Sequence, residues 1–363
     1  MYKLFVEEID SHFIQMREEE GAYSTNTIDL RMVLPKEISL IPFNLLRGGG
    51  HNQQSFTTKY FNEQYNLSYS PTLFWLLEAK SSELVGDNIE IDTGNSPSSG
   101  GNVFVFGGNN EVTTEEARGV ARVFGTTPAH GNSSNLKEDI VESLANSVVC
   151  HLSSDVAWQT PSFVFPCKVV TKDAVTRGGG GGFSADPDIE DLEPPEDSRA
   201  GSPGLSDVFV TARDLAEQRL TASLITFGIT PPSEYTDPVC AEGLHILMSC
   251  LQMAGCKTLI SSVWPVQDHA RRHFLQNFYQ LYNKGVPAFD AFHQTVRAMQ
   301  TSDEFKHPTN WAGFVIYGRN SMLNRQTQSL TKALHEFLDN PDRDAIKVIL
   351  HLVSLRSFSD TTS

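Results

Sequence analysis

The chain has 363 residues, of which 39% are hydrophobic and 20% are charged, so it can bury a sizeable core and is not globally disordered. Its formal net charge of −16 argues against a surface built to bind nucleic acid or anionic lipid. We therefore expect neither nucleic acid nor a membrane among its partners.

Targeting signals and cysteines indicate the compartment. The N-terminal segment places acidic side chains within its apolar pattern and lacks a basic flank, and the sequence has no uncharged apolar run of about 18 residues. We expect a protein of the cytosol or nucleus that is neither secreted nor membrane-spanning. The cysteines are odd in number and widely spaced, which is typical of buried thiols rather than of a disulfide framework: Cys150, Cys167, Cys240, Cys250 and Cys256.

The first part of the chain predicts two helices, three strands and a loop. Residues 2–20 have apolar side chains at helical spacing. Residues 28–35 and 65–71 have the pattern of strands and end in proline, and an apolar helix is predicted at 72–80. Glycine, serine and asparagine dominate residues 86–102, which we expect to form an exposed loop. The apolar run at 103–108 predicts the next strand.

A helix is predicted directly after this strand. Thr113 or Thr114 is positioned to cap it, which would place Glu115 and Glu116 in its first turn. Another helix is predicted at 137–146.

A buried strand and a polar insertion follow. Residues 147–153 are nearly all apolar, which predicts a strand buried on both faces. Residues 172–207 run through consecutive glycines and an acidic, proline-containing stretch, whose composition cannot offset the entropy of ordering. We interpret this segment as a flexible insertion inside one domain, and its negative charge could dock against a basic surface of another protein.

The remaining sequence alternates between apolar strands and helices. This alternation predicts an α/β fold, in which helices cover both faces of a mainly parallel sheet. Two further helices at 322–356 have an apolar stripe, which either packs back onto the domain or forms a dimer or partner surface. The other predicted helices are 211–220, 240–255, 268–285 and 287–300, and the predicted strands are 222–228, 257–264 and 311–318.

The sequence predicts neither a cofactor nor a metal. The glycine run at 178–182 lacks the Lys-Ser/Thr pair of a phosphate loop. His269 and His273 share a helix face, but two arginines lie between them and no carboxylate completes a ligand set. We interpret this histidine pair as part of a solvated helix face.

Only one cysteine has an electrostatic advantage as a nucleophile. Cys240 lies near the start of a predicted helix, where a thiolate is favoured. Cys150 and His151 are adjacent in a strand, so their side chains leave on opposite faces. Cys250 and Cys256 lie among apolar residues and are most simply core groups. His151 would act as a base only if a thiol faced it, and is otherwise a histidine held by hydrogen bonds.

Six segments share motifs with one family in the same order. They are LRMVLPKEISLIPFNLLRG (30–48), NLSYSPTL (66–73), EEA (115–117), VVCHLSSD (148–155), the block from 240 to 285 that contains SSVWPVQD, and HPTNWAGFVIYG (307–318). Together they resemble the CHAT domain, a caspase-like peptidase domain usually found behind tetratricopeptide repeats. The residues that match its motifs are Pro42, Phe43, Trp264, Pro265, Asp268, His307, Pro308 and Trp311.

The resemblance implies a fold and a domain arrangement. It implies a caspase-like three-layer fold over residues 1–320, with flexible loops at 86–102 and 172–207. Residues 321–363 would be a C-terminal helical extension. The resemblance also implies that the domain is the C-terminal part of a longer tetratricopeptide-repeat protein.

The peptidase dyad of the family is absent. Its base is the second histidine of His-Leu-Ala-Thr-His and its nucleophile is a cysteine after the next central strand. Here His151 matches the first histidine, whereas Asp155 and Thr230 hold the two dyad positions. The resemblance therefore implies a pseudopeptidase without catalytic residues, which binds a protein partner as a peptide along a sheet edge or in a groove. The alternative is an active cysteine peptidase with Cys240 as nucleophile and His151 or His245 as base.

Overall fold

The structure is a computed structural model, and it describes part of the chain. The predicted helix at 2–20, the loop at 86–102, most of the insertion at 172–207 and all but two residues of 322–356 lie outside the described residues, and these stay predictions. The described residues are 28–35, 38–39, 41–47, 60–74, 103–108, 110–131, 135–157, 161–168, 205–227, 238–264 and 266–323.

The strands of the described residues form two sheets. Seven strands form the main sheet in the order β1-β2-β10-β9-β8-β4-β3, and β5, β6 and β7 form a small antiparallel sheet. The strands are β1 (Ile28–Val33), β2 (Tyr65–Ser70), β3 (Val103–Gly107), β4 (Val149–Ser153), β5 (Asp155–Ala157), β6 (Ser162–Lys168), β7 (Leu205–Thr211), β8 (Leu224–Phe227), β9 (Thr258–Ser262) and β10 (Phe314–Gly318).

Helices connect most of these strands. Two short 3-10 helices, Phe43–Leu45 and Pro308–Asn310, complete the connections. In the described part of the chain, no helix is both long and apolar enough to cross a membrane. The α-helices with both ends defined are α1 (Phe61–Gln64), α2 (Glu111–Phe124), α3 (Leu136–Asn146), α4 (Ala212–Ala216), α5 (Pro238–Met253), α6 (Asp268–Asn283) and α7 (Ala288–Thr301).

The strand directions confirm the predicted α/β class with a mainly parallel sheet. Strands β3, β4, β8 and β9 run parallel to one another, β10 runs antiparallel to β9, and β2 and β1 follow the direction of β10. This arrangement agrees with a caspase-like fold. The carboxyl ends of β3, β4, β8 and β9 meet at one edge, which is where open α/β sheets bind ligands.

Two hydrophobic cores cover the main sheet, because alternate residues of a strand point to opposite faces. In β4, Cys150 and Leu152 belong to the core that contains the apolar side chains of α3 and α5, which we call the α5 face. Val149 belongs to the core that contains those of α2, α6 and α7, which we call the α6 face. All five residues of β4 are buried, as its apolar run predicted.

The small sheet was not predicted from the sequence, and it shortens the predicted insertion. Strand β6 pairs with both β5 and β7, and Phe163, Phe165 and Val210 attach the sheet to the core of the α5 face. The prediction of a flexible insertion is wrong for residues 205–207, which belong to β7. Composition could not reveal that β6 supplies their main-chain hydrogen bonds.

Helix α2 begins earlier than predicted. Asn110 is its N-cap and accepts a hydrogen bond from the Thr113 backbone N–H at 2.8 Å. Neither Thr113 nor Thr114 caps the helix, and the two glutamates that follow lie beyond its first turn. Asparagine caps a helix at least as well as threonine, so the earlier start is favoured. The predicted helix at 211–220 is also shorter, since α4 ends at Ala216.

Gly313 has no side chain, and the Trp264 ring occupies the space where one would lie. A Cβ at position 313 would lie 2.6 Å from Trp264 Nε1 and 2.8 Å from its Cε2. We predict that Gly313→Ala lowers the free energy of unfolding by about 1–3 kcal/mol, because the ring must move. The measurement is urea unfolding of both proteins.

The matched control is Gly119→Ala in the interior of α2. A Cβ at position 119 has no neighbour within 4 Å. We expect this substitution to stabilise the protein by about 0.5–1 kcal/mol, because alanine favours a helix interior more than glycine does. Equal effects of the two substitutions would contradict the steric argument.

Candidate functional site

His151 is held inside the protein by two hydrogen bonds. It lies on β4, has an exposed fraction of 0%, and faces α6. Its Nδ1 lies 3.1 Å from the Tyr279 hydroxyl and its Nε2 lies 3.0 Å from Ser153 Oγ. Both ring nitrogens are therefore occupied by protein groups, as expected for a histidine held by hydrogen bonds.

The serine beside this histidine leads to a buried glutamate. Ser153 Oγ donates a hydrogen bond to Glu116 Oε1 at 2.8 Å, and Arg271 Nε lies 2.5 Å from Glu116 Oε2. His151 Nε2 lies 3.4 Å from Glu116 Oε1. Glu116, Ser153, His151, Tyr279 and Arg271 thus form one buried polar network, which joins α2, β4 and α6 on the α6 face.

Two opposing effects act on the Glu116 carboxyl group. Burial raises the pKa of Glu116, but the neighbouring His151 ring and the charge of Arg271 outweigh burial and lower the pKa to about 2. The group is therefore ionised at neutral pH. A buried carboxylate is tolerated here because both of its oxygens have partners.

The direction of the hydrogen bonds excludes serine-protease chemistry in this network. A serine hydroxyl has one proton, and Ser153 donates that proton to Glu116. Ser153 must then accept from His151 Nε2–H, whereas a nucleophilic serine donates to its histidine. Ser153 also has an exposed fraction of only 2%, so a substrate does not reach it. The hydrogen bonds of the network connect elements of the fold, and they do not match the geometry of a serine nucleophile.

The two dyad positions are only partly described. Asp155 begins β5, two residues after the end of β4, and is paired with Val164 of β6. The backbone of Asp155 thus lies next to the edge where the parallel strands end. Thr230 lies outside the described residues, three residues beyond the end of β8.

The described thiols lack the features of a nucleophile. Burial raises the pKa of Cys150, Cys250 and Cys256, so none of these thiols is an activated thiolate. Cys256 donates a hydrogen bond to the Thr258 carbonyl at 3.2 Å. Cys150 belongs to the core of the α5 face and His151 faces the other side, which confirms that their side chains diverge.

The backbone does not favour either relocated pair. Cys240 lies in α5, whose apolar residues pack on the α5 face, whereas His151 points to the α6 face. Positions 240 and 245 are five residues apart in that helix, and therefore about 140° apart around its axis. His245 lines a small cavity with Tyr69 and Tyr317.

The histidine pair on α6 packs against an aromatic ring. The His273 ring stacks on Phe305 with 4.3 Å between ring centroids, and its Nε2 lies 2.8 Å from Asn277 Nδ2. His269 is exposed, as predicted, and His273 is partly exposed, since one side of its ring packs on Phe305. Within the described stretches, no three His, Cys, Asp or Glu side chains are grouped as a metal site would require.

The residues that match family motifs serve packing and turns. Phe43 and Trp311 are buried, and Pro42 precedes the first 3-10 helix. His307 caps the second 3-10 helix, whose first residue is Pro308.

Two of these motif residues lie near the start of α6. Trp264 Nε1 donates to the Thr309 carbonyl at 3.3 Å. Asp268 begins α6, and its Oδ1 lies 3.4 Å from Arg271 Nη2. Pro265 lies outside the described residues.

The buried network was missed by the sequence reasoning, although the sequence contains a signal for it. Glu116 lies on the buried stripe of α2 with Thr113 and Val120, and Arg271 lies on the buried stripe of α6. A charged residue on the apolar stripe of an amphipathic helix needs a buried partner of opposite charge. A buried glutamate on one helix and a buried arginine on another therefore predict an ion pair between the two helices.

Removal of the buried carboxylate should be costly. We predict that Glu116→Gln lowers the free energy of unfolding by about 3–5 kcal/mol, because Arg271 loses its buried counter-charge and keeps only the half-exposed Asp268 at 3.4 Å. The neighbouring Glu115→Gln is the matched control, since Glu115 forms a half-exposed pair with Arg272. Its expected cost is about 0–1 kcal/mol. Urea unfolding distinguishes the two, and similar values would contradict the role of the network.

The same variant should reveal a pH dependence. The pKa of Glu116 is about 2 in the folded protein against an ordinary 4.5, so folding favours the carboxylate. The stabilisation is therefore fully present above pH 4.5 and is lost as the pH falls through about 2. The difference in unfolding free energy between the wild type and Glu116→Gln should shrink over this window. A difference that stays constant down to pH 2 would contradict the assignment.

Comparison with known proteins places the chain in a family. The CHAT domain family matches residues 2–319. The chain is 27% identical over 339 residues to Tetratricopeptide repeat protein 28 of Homo sapiens, and 27% identical over 347 residues to the protein of that name of Mus musculus. Each match covers 89% of this chain but spans only 13% of the length of the relative. Since the family match extends over most of the sequence, this protein belongs to the CHAT domain family.

Proposed function

We propose that this CHAT domain does not cleave peptides and acts as a protein-interaction module. The observation that carries the proposal is the pair of dyad positions, where Asp155 and Thr230 replace the histidine and the cysteine of the peptidases. A threonine hydroxyl is too weakly acidic to attack an amide without a good base, and a carboxylate is a poor base for it. Because catalytic groups act as a unit, the loss of both leaves little activity.

The described thiols and His151 support the proposal. Burial raises the pKa of Cys150 and Cys256, which opposes formation of a nucleophilic thiolate. His151 has both ring nitrogens engaged inside the buried polar network. For His151 to act as a base, it would have to give up these hydrogen bonds.

A sheet edge is one surface on which a partner peptide could lie. The outer edge of β3 is already engaged, because the Ala129 N–H donates to the Val105 carbonyl and the Gly107 N–H donates to the Ala129 carbonyl. In the described part of the main sheet, β1 is the other edge strand. We therefore propose β1, rather than β3, as the edge to which an extended peptide adds by main-chain hydrogen bonds.

The cellular context is also a proposal. The relatives are named for tetratricopeptide repeats, and we propose that this domain acts beside such repeats in a longer protein. The free thiols of Cys150, Cys250 and Cys256 suit a reducing compartment, which supports the cytosol or the nucleus as its location.

The test is a search for turnover. We expect no cleavage of a broad library of unstructured peptides above the buffer rate, with a known cysteine peptidase as the positive control for the library. We also expect the Cys240→Ala variant to behave like the wild type in this assay and toward a thiol-directed probe. Turnover that Cys240→Ala abolishes would reject the proposal and support the relocated peptidase.

A further inference from the structure

A groove lies between α2 and α6 on the outer surface of these helices. Its cavity has a volume of about 360 Å³. Gly119, Val120 and Leu275 contribute small or apolar groups to its lining, and Arg118, Arg122 and Arg272 contribute positive charge. We call it the α2–α6 groove.

Gly119 keeps the groove open. A Cβ at this position would meet nothing within 4 Å, so packing does not require glycine here. Glycine in a helix interior is less stable than alanine by about 0.5–1 kcal/mol. The helix is therefore less stable than it would be with alanine, at a position where a side chain would narrow the groove.

The two acidic side chains of the lining are already paired with other side chains of the protein. Both oxygens of Glu116 are engaged, by Ser153 and by Arg271. Glu115 is paired with Arg272 at 2.5 Å. The groove therefore presents the charge of its remaining arginines to a ligand.

Arg118 and Arg122 carry this positive charge. Both are exposed, and neither has an ion-pair partner among the residues that the structure describes. They are one turn apart on α2, where like charges destabilise a helix. The helix dipole favours Arg122, which lies in the last turn, but it does not account for Arg118.

We propose that the α2–α6 groove binds an acidic linear peptide of a partner protein. Two carboxylates of the peptide would pair with Arg118 and Arg122, whose Cβ atoms are about 6 Å apart for this spacing. An aliphatic side chain of the peptide would lie over Gly119 between Val120 and Leu275. The inference rests on the proposed function in that it treats the domain as a protein-binding module.

The experiment measures binding of a fluorescein-labelled peptide, Glu-Leu-Glu-Glu-Leu-Glu, to the full chain by fluorescence anisotropy. We expect the double variant Arg118→Ala/Arg122→Ala to weaken binding by about tenfold or more. Arg219→Ala, a matched substitution of an exposed arginine outside the groove, should leave the affinity unchanged. Equal affinity of the wild type and the double variant, or no binding to the wild type, would overturn the proposal.

Two further binding measurements separate the contribution of charge from that of the shape of the groove. Gly119→Leu should weaken binding to a similar degree, because it fills the groove while leaving every charge in place and favouring the helix. The neutral peptide Gln-Leu-Gln-Gln-Leu-Gln should not bind. Full binding to Gly119→Leu, or equal binding of both peptides, would reject the groove or its charge selectivity.

If the α2–α6 groove binds something other than a partner peptide, the experiment gives a different result. A tenfold or greater rise in affinity on deletion of residues 178–203 would show that the chain's own acidic stretch competes for the groove, and would overturn the assignment to a partner. Self-association that Arg118→Ala/Arg122→Ala abolishes would instead indicate a second copy. Cleavage of the acidic peptide would reject the proposed function, whereas absence of both cleavage and arginine dependence would reject only the groove.

Discussion

The ion pair between Glu116 and Arg271 is the constraint on which the rest of this fold depends. Neither charge is tolerated alone inside a protein, so α2 and α6 must meet at one place and in one orientation. Hydrogen bonds connect this pair to Ser153 and His151 of β4, and a hydrogen bond between His151 and Tyr279 connects β4 to α6. The network therefore fixes two helices and a central strand relative to one another.

The position of this network is compatible with the proposed loss of the peptidase residues. It lies on the α6 face, and none of its members occupies a dyad position. The proposed replacement of the dyad by Asp155 and Thr230 changes no residue of this network. A fold can be stabilised by residues other than those that perform its chemistry.

The sequence was sufficient for features that follow from hydrophobic periodicity. The alternation of strands and helices predicted the α/β class, and the apolar run at β4 predicted burial on both faces. The divergence of Cys150 and His151 follows from strand geometry alone. Family motifs such as Trp311 marked packing positions, because buried aromatic residues and turns restrict the sequence most strongly.

Features that depend on contacts between distant segments were not predictable in the same way. Residues 205–207 look disordered by composition, but β6 pairs with them from about forty positions earlier in the chain. The N-cap of α2 is Asn110 rather than a threonine, because several capping residues compete locally. Glu116 and Arg271 are separated by 155 positions, so only their shared placement on apolar stripes hinted at the pair.

The central proposal is that this domain does not cleave peptides, which requires that none of its cysteines is an activated thiol. The most direct measurement is the rate of iodoacetamide alkylation at each cysteine of the folded protein, followed by mass spectrometry as a function of pH. The account predicts that no cysteine reacts as a thiolate below its ordinary pKa range and that Cys150 and Cys256 react only on unfolding. Rapid alkylation of Cys240 at mildly acidic pH, lost when a histidine is substituted, would contradict it.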